Sequence, residues 1–258
     1  TSRLQPNDPP FGTNFSSNFD IYITAAPISG FPGGPRYPIV HMGNRASGIY
    51  VHSPPSTSVL PNNLDAERGK LSYTGTQYVY VDGSDGSGTV YTFSATIQAP
   101  GAPWVANSRK IERIDFPDGR RQTFSYNASG YLKLVEDTAG YAMVFDYDAN
   151  GDVTAACAFN RSQTYVSATS TCSGAALKAT YGYTVTLSKP YLTSMTNPLS
   201  QVTTYTNTNW GMTCVKPPGF ATCVMSISDH ATRIGSQTLQ DGGTWQTTGM
   251  NPDVLNDP

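Results

Sequence analysis

Between residues 111 and 211 apolar and polar positions alternate in short runs, and turn-forming sequence interrupts them about every ten residues. Phe124-Ser125-Tyr126 and Phe145-Asp146-Tyr147 set aromatics two residues apart, the period of a strand with one covered face. Asn127-Ala128-Ser129-Gly130 and Asp148-Ala149-Asn150-Gly151 follow, and each reads as a type I turn closing on a left-handed glycine. Leu132 or Val153 then opens a return strand. The reversals at the other end are Phe116-Pro117-Asp118-Gly119, Asp137-Thr138-Ala139-Gly140 and Asn197-Pro198-Leu199-Ser200. Turns this closely spaced leave no room for a crossover helix, so the pattern predicts an antiparallel sheet throughout.

Aligning Ile111, Leu132 and Leu192 brings the rest into register. Ile114, Val135 and Met195 coincide three positions on, and Gly119, Gly140 and Ser200 five positions further. Phe124, Phe145 and Tyr205 fall together next, followed by Tyr126, Tyr147 and Asn207, and then by Gly130, Gly151 and Gly211. A repeat near 20 residues marks an array of supersecondary units that bury their apolar faces only against neighbours. The third copy follows a longer interval containing Cys157 and Cys172, where a degenerate copy is expected.

Residues 1–105 show no such period and read as an irregular, Pro/Gly-rich β region, with repeats over 106–258 ending inside a unit. Upstream strand candidates are Ile21-Tyr22-Ile23-Thr24, Gly48-Ile49-Tyr50-Val51, Gln77-Tyr78-Val79-Tyr80-Val81 and Thr89-Val90-Tyr91-Thr92-Phe93. The last two flank Asp82–Gly88, whose glycines suit a tight reversal, and predict a hairpin. The dense Gly and Pro of Ile28–Pro38 predict loop.

Composition supports an all-β fold and narrows the partners. Only 13% of the 258 residues are charged, 16 basic against 18 acidic, where soluble domains average roughly 25%. No basic cluster exists to release counterions, which argues against a nucleic-acid partner. No apolar run reaches the ~18 residues of a membrane span, and Thr1–Gln5 lacks the apolar core of a signal peptide, so the segment reads as mature or excised. Four cysteines fall in two close pairs, Cys157 with Cys172 and Cys214 with Cys223, without the spacing of a zinc or thioredoxin-like motif. Two local disulfides and an oxidising compartment are expected.

Phe145-Asp146-Tyr147-Asp148-Ala149-Asn150-Gly151-Asp152-Val153, preceded by Phe116-Pro117-Asp118-Gly119-Arg120, resembles the Rhs/YD-repeat family, whose units carry a Tyr-x-Tyr-Asp-x-x-Gly-Arg-Leu core and a Pro-x-Gly turn. The resemblance covers Ile111 to Gly211; Asn127 stands for the usual Asp after Tyr126, and Asn207 replaces an aromatic. It implies hairpins wound into a spiralling sheet that closes as a shell, as in teneurins and bacterial toxin complexes. The function it implies is a non-enzymatic extracellular scaffold that encloses or presents a cargo or effector. The expected partners are the remainder of the parent chain or further copies of itself, at a secreted or bacterial outer-surface location. Two alternatives are a filament or adhesin subunit joined by edge-strand pairing, and a carbohydrate-binding module using exposed Trp104, Trp210 and Trp245.

Other motifs carry less chemistry. Asp146-x-Asp148-x-Asn150-Gly151-Asp152 imitates the start of an EF-hand loop, but Cys157 occupies the position of the bidentate Glu. Asp82 and Asp85 could chelate a weak cation, with a solvated turn as the simpler reading. Asp115, Asp118, Glu136 and Asp137 lie at repeat turns, as surface carboxylates do. The three histidines, His41, His52 and His230, are scattered, and no nucleophile elbow accompanies them. No catalytic residue, metal ligand or cofactor is expected. Asn14-x-Ser16, Asn127-x-Ser129 and Asn160-x-Ser162 match the N-glycosylation sequon, which has meaning in a host that glycosylates.

Overall fold

A computed structural model describes residues 11, 17–27, 36–42, 45–52, 59–61, 69–82, 88–94, 108–186, 189–208, 211–230, 233–239 and 242–246. All its regular elements among these residues are strands, paired antiparallel. Two compact units divide the chain, Thr1–Phe11 with Ser16–Lys178 and Gly12–Phe15 with Ala179–Pro258, and the division after Lys178 falls well beyond the change in composition near residue 105.

The first unit holds β1 (Ile21–Pro27), β2 (Arg36–Met42), β3 (Arg45–His52), β4 (Val59–Pro61), β5 (Lys70–Tyr73), β6 (Tyr78–Val81), β7 (Val90–Phe93), β8 (Ser108–Asp115), β9 (Arg121–Tyr126), β10 (Leu132–Asp137), β11 (Tyr141–Tyr147) and β12 (Val153–Asn160). From β5 to β12 each strand pairs with the next. β1 pairs with β8 on one side and β2 on the other, tying the N-terminal region to the array. Arg36–Pro38, expected within a loop, instead open β2, where the seven-residue ladder to β1 outweighs the local breakers. The hairpin across Asp82–Gly88 is present, with Val81 opposite Val90.

The second unit is a meander of β13 (Leu177–Thr186), β14 (Lys189–Thr196), β15 (Val202–Thr208), β16 (Gly211–Lys216), β17 (Met225–His230), β18 (Arg233–Leu239) and β19 (Thr244–Gln246).

Residues three apart in a regular strand face opposite sides of the sheet, yet Ile111 and Ile114, and Leu132 and Val135, are all buried. A β-bulge reconciles the spacing. In β10 the residues opposite Ser125 and Tyr126 are Leu134 and Leu132, so Lys133 is the extra residue. The same irregularity places Glu112 in β8, Thr154 in β12, Thr193 in β14, Thr213 in β16 and Gly235 in β18. In β8, β10, β12, β14 and β16 the bulge adds a half-step that returns the two apolar residues to one face. The units therefore start at Ile111, Leu132, Val153, Leu192, Met212 and Ile234.

In the first unit β12 opens a further copy at Val153. In the second, β13 carries Tyr181-Gly182-Tyr183 in the aromatic positions, with Tyr181 opposite Met195 and Tyr183 opposite Leu192. The register also reaches upstream of residue 105, because Tyr91 and Phe93 of β7 lie opposite Ile114 and Ile111.

In the first unit both faces of the array are covered. On one, Phe124 and Phe145 receive the Phe19 ring edge-on, with centroids 6.3 and 5.8 Å away. On the other, Leu134, Ala142, Val144, Ala155 and Cys157 form a cluster with Val166 and Cys172 of the inserted loop. Burying each large apolar side chain contributes about 1.5–3 kcal/mol, which makes the inserted loop a lid on the core.

Candidate functional site: a ring-and-glycine box in two repeats

The recurring polar feature is built on the second aromatic of the hairpin. Tyr126 Oη donates to the Ile111 carbonyl at 2.8 Å, and Tyr147 Oη donates to the Leu132 carbonyl at 2.5 Å. Both acceptors belong to the first residue of the same unit, where the bulge leaves the ladder irregular. In the copy that lacks the aromatic, Asn207 Nδ2 donates to the Leu192 carbonyl at 2.7 Å, so the amide keeps the bond and loses only the ring.

A second side chain closes over the ring from the position just before the unit. Lys110 Nζ stands 4.3 Å from the Tyr126 centroid and donates to the Gly130 carbonyl at 2.6 Å. One repeat on, Tyr131 stacks on Tyr147 with centroids 4.9 Å apart and lies against Gly151. Cation and phenol occupy equivalent places, each between a tyrosine ring and a turn glycine. That contact gives Gly151 two reasons to be glycine: φ is +89°, and a Cβ would enter the Tyr131 ring.

Electrostatics keep the phenols of the box protonated near neutral pH. Burial pushes the Tyr126 and Tyr147 phenols far above their ordinary range, reinforced by neighbouring Tyr147 and Glu112 in the first case and by Asp20 and Tyr131 in the second. Tyr131 is pushed up to about 12, by burial first and then by Asp152 and Asp148. A phenol moved away from ionisation is a poor acid–base catalyst and a durable hydrogen-bond donor. Lys110 moves the other way, down to about 8, because burial penalises its charge. Beside Phe19, the Asp20 carboxyl is raised by burial in spite of accepting the Ser17 backbone N–H at 2.6 Å.

The turns are capped by their own side chains. Asn127 Oδ1 accepts the Tyr131 N–H, Asp148 Oδ1 those of Asn150 and Asp152, and Asn197 Oδ1 those of Leu199 and Gln201. Gly119, Gly130, Gly140 and Gly151 have positive φ, and Ser200 takes the same region at +61°. Gly211 differs: it opens β16 opposite Thr208 and is not among the positive-φ residues.

The aligned core residues Ile111, Ile114, Phe124, Leu132, Val135, Phe145 and Leu192 are buried, whereas Tyr126, Tyr147, Met195 and Tyr205 remain partly accessible. Cys157 is bonded to Cys172, and Cys214 to Cys223. Such bonds persist in oxidising compartments.

The other candidate groups lie in turns, strands and ion pairs. Asp146 holds Lys133 Nζ at 2.7 Å and accepts the Cys172 N–H at 2.8 Å, while Asp148 caps its turn. Asp115 bridges Arg113 and Arg121; burial acts to raise its pKa, but the hydrogen bonds from Arg121 and Arg113 hold it below the usual carboxylate range. Asp118 and Asp137 face Arg120, and Glu136 pairs with Arg161 at 2.8 Å. Asp82 is buried, and Asp85 lies outside the described residues. His41 sits in β2, stacked on Tyr22 at 4.3 Å and bonded to Thr24 Oγ1 at 2.8 Å, with its pKa lowered by burial. His52 is in β3, and His230 ends β17 opposite Arg233. Trp245 is in β19; Trp104 and Trp210 fall outside the described residues. Among the described residues no group of three or more His, Cys, Asp or Glu side chains converges as a metal site.

Sequence reasoning overlooked the bulges, the Lys110 and Tyr131 lids, and Phe19. Tyr181-Gly182-Tyr183 carried a readable signal, two aromatics at strand spacing, but sat too far from the other copies for a fixed-period alignment. No protein-family model and no curated protein matches the chain.

Proposed function

We propose that this chain is a non-enzymatic extracellular scaffold, a portion of an Rhs/YD-type β-hairpin wall that encloses or presents a cargo. The observation that carries this reading is the recurrence of one bulge through successive hairpins, joined in the units of Ile111, Leu132 and Leu192 by a side-chain bond to the carbonyl of the unit's first residue. Polar side chains are spent on backbone carbonyls, turn caps and ion pairs, which hold a wall in shape. The phenols are shifted away from ionisation, the opposite of what acid–base turnover requires.

Reading the parent gene past Pro258 tests the proposal. Further units of the same register followed by a segment unrelated to the repeat are expected, and a reporter fused in place of that segment should resist added protease until the wall is unfolded. A reporter cleaved as fast as free reporter, or fibres of the purified chain by electron microscopy, would overturn it in favour of a filament. Glycan-array binding would favour a carbohydrate-binding module.

A further inference from the structure

The structure separates the sequons. Asn14-x-Ser16 lies outside the described residues. Asn127 is half-buried, and its side-chain oxygen caps the β9–β10 turn by accepting the Tyr131 N–H at 2.9 Å. Its backbone is held from both sides, Asn127 N–H donating to Tyr131 and its carbonyl accepting the Gly130 N–H.

Asn160 is arranged differently. It is the last residue of β12, and Asn160, Arg161 and Ser162 are all exposed. Ser162 Oγ donates to Asn160 Oδ1 at 2.7 Å, and the Ser162 N–H donates to the same oxygen at 3.0 Å. The amide oxygen and the hydroxyl of the sequon are therefore already in contact, while Asn160 Nδ2 has no partner among the described residues. The backbone beneath is fixed: the Asn160 carbonyl accepts from Gln163 and Thr164, and Arg161 N–H donates to Gly140 at 2.8 Å. A substituent on Nδ2 would leave into solvent at the head of the loop that covers the Leu134–Val144 face.

We infer that Asn160 is an acceptor for an N-linked glycan in any secretory route that supplies a lipid-diphosphate-linked sugar. The bond formed joins Asn160 Nδ2 to the sugar anomeric carbon; the bond broken is that carbon's link to the diphosphate. The lipid diphosphate departs and Nδ2 releases one proton. Folded chain tolerates the product because neither amide oxygen contact is lost. This inference is independent of the scaffold reading.

Secretion of the whole chain from a eukaryotic host, with intact mass and site mapping before and after peptide N-glycosidase, tests it. The expected result is an enzyme-removable glycan mapped to Asn160. Asn160→Gln and Ser162→Ala should lose it, Ser162→Thr should keep it, and Asn127→Gln should change nothing. If Asn160→Gln is not secreted, Ser162→Ala, which leaves the asparagine in place, gives the reading. Secreted protein bare at Asn160, glycan confined to Asn14 or Asn127, or an unchanged mass for Asn160→Gln overturns the inference.

Discussion

At the scale of single residues the repeat depends on side chains that finish the backbone's own hydrogen bonding. A bulge leaves a carbonyl poorly served by the ladder, and the phenol of Tyr126 or Tyr147 reaches it. Removing such a donor strands a buried acceptor, at a cost of about 1–3 kcal/mol. Tyr147→Phe, which keeps the stacked ring, is therefore expected to lower stability by that amount in urea unfolding. Asn207→Leu should do the same at Leu192. Lys110 makes a second prediction. Its folded pKa near 8 lies below its ordinary 10.5, so the folded state disfavours the charged amine. The penalty is complete below about pH 8 and is relieved as pH climbs toward 10.5. The raised phenols pull the other way as pH passes 10, so the Lys110 contribution is read as the difference between wild type and Lys110→Met: the wild type should gain melting temperature relative to the variant as pH climbs from 8 to 10.5, and equal slopes would contradict it. His41 acts at the acid end, where its lowered pKa costs stability as pH falls below 6.5.

The hairpin is the next scale, and there conformational freedom decides. Gly140 and Gly151 share a positive φ, but only Gly151 has a ring against it. Forcing alanine into the left-handed region costs about 1–2 kcal/mol. Gly140→Ala should lose about that much, and Gly151→Ala distinctly more because Tyr131 must leave Tyr147; chemical denaturation of the two variants compares them. Ser200 stands in the equivalent turn at φ +61° with a Cβ already present. Ser200→Gly should gain up to about 1 kcal/mol, since the relief outweighs the added entropy of unfolded glycine. The aromatic pairs, turn signatures and aligned glycines were legible in the sequence because each depends on nearby residues. The bulge was present only as a contradiction: apolar residues three apart in a segment whose other residues alternate by two.

Across the whole molecule the deciding features are long-range. The array of the first unit is covered on one face by Phe19 and on the other by the loop clipped through Cys157–Cys172. Chain entropy alone gives about 3 kcal/mol for the loop of this disulfide and about 2.6 for that of Cys214–Cys223. Burial separates them further, because Cys157 and Cys172 are both core residues. The double change Cys157→Ala, Cys172→Ala is expected to cost clearly more than Cys214→Ala, Cys223→Ala, with exposed Leu134 and Val144 detectable by dye binding. What the sequence determined by itself is the antiparallel hairpin, its turns, its period and its close cysteine pairs, since those follow from alternation, glycine and proline within a few residues. Which face each strand buries, which side chain closes over each ring, and how a remote phenylalanine comes to rest on the repeats were settled only by tertiary structure, because packing joins residues whose chain separation leaves no local signature.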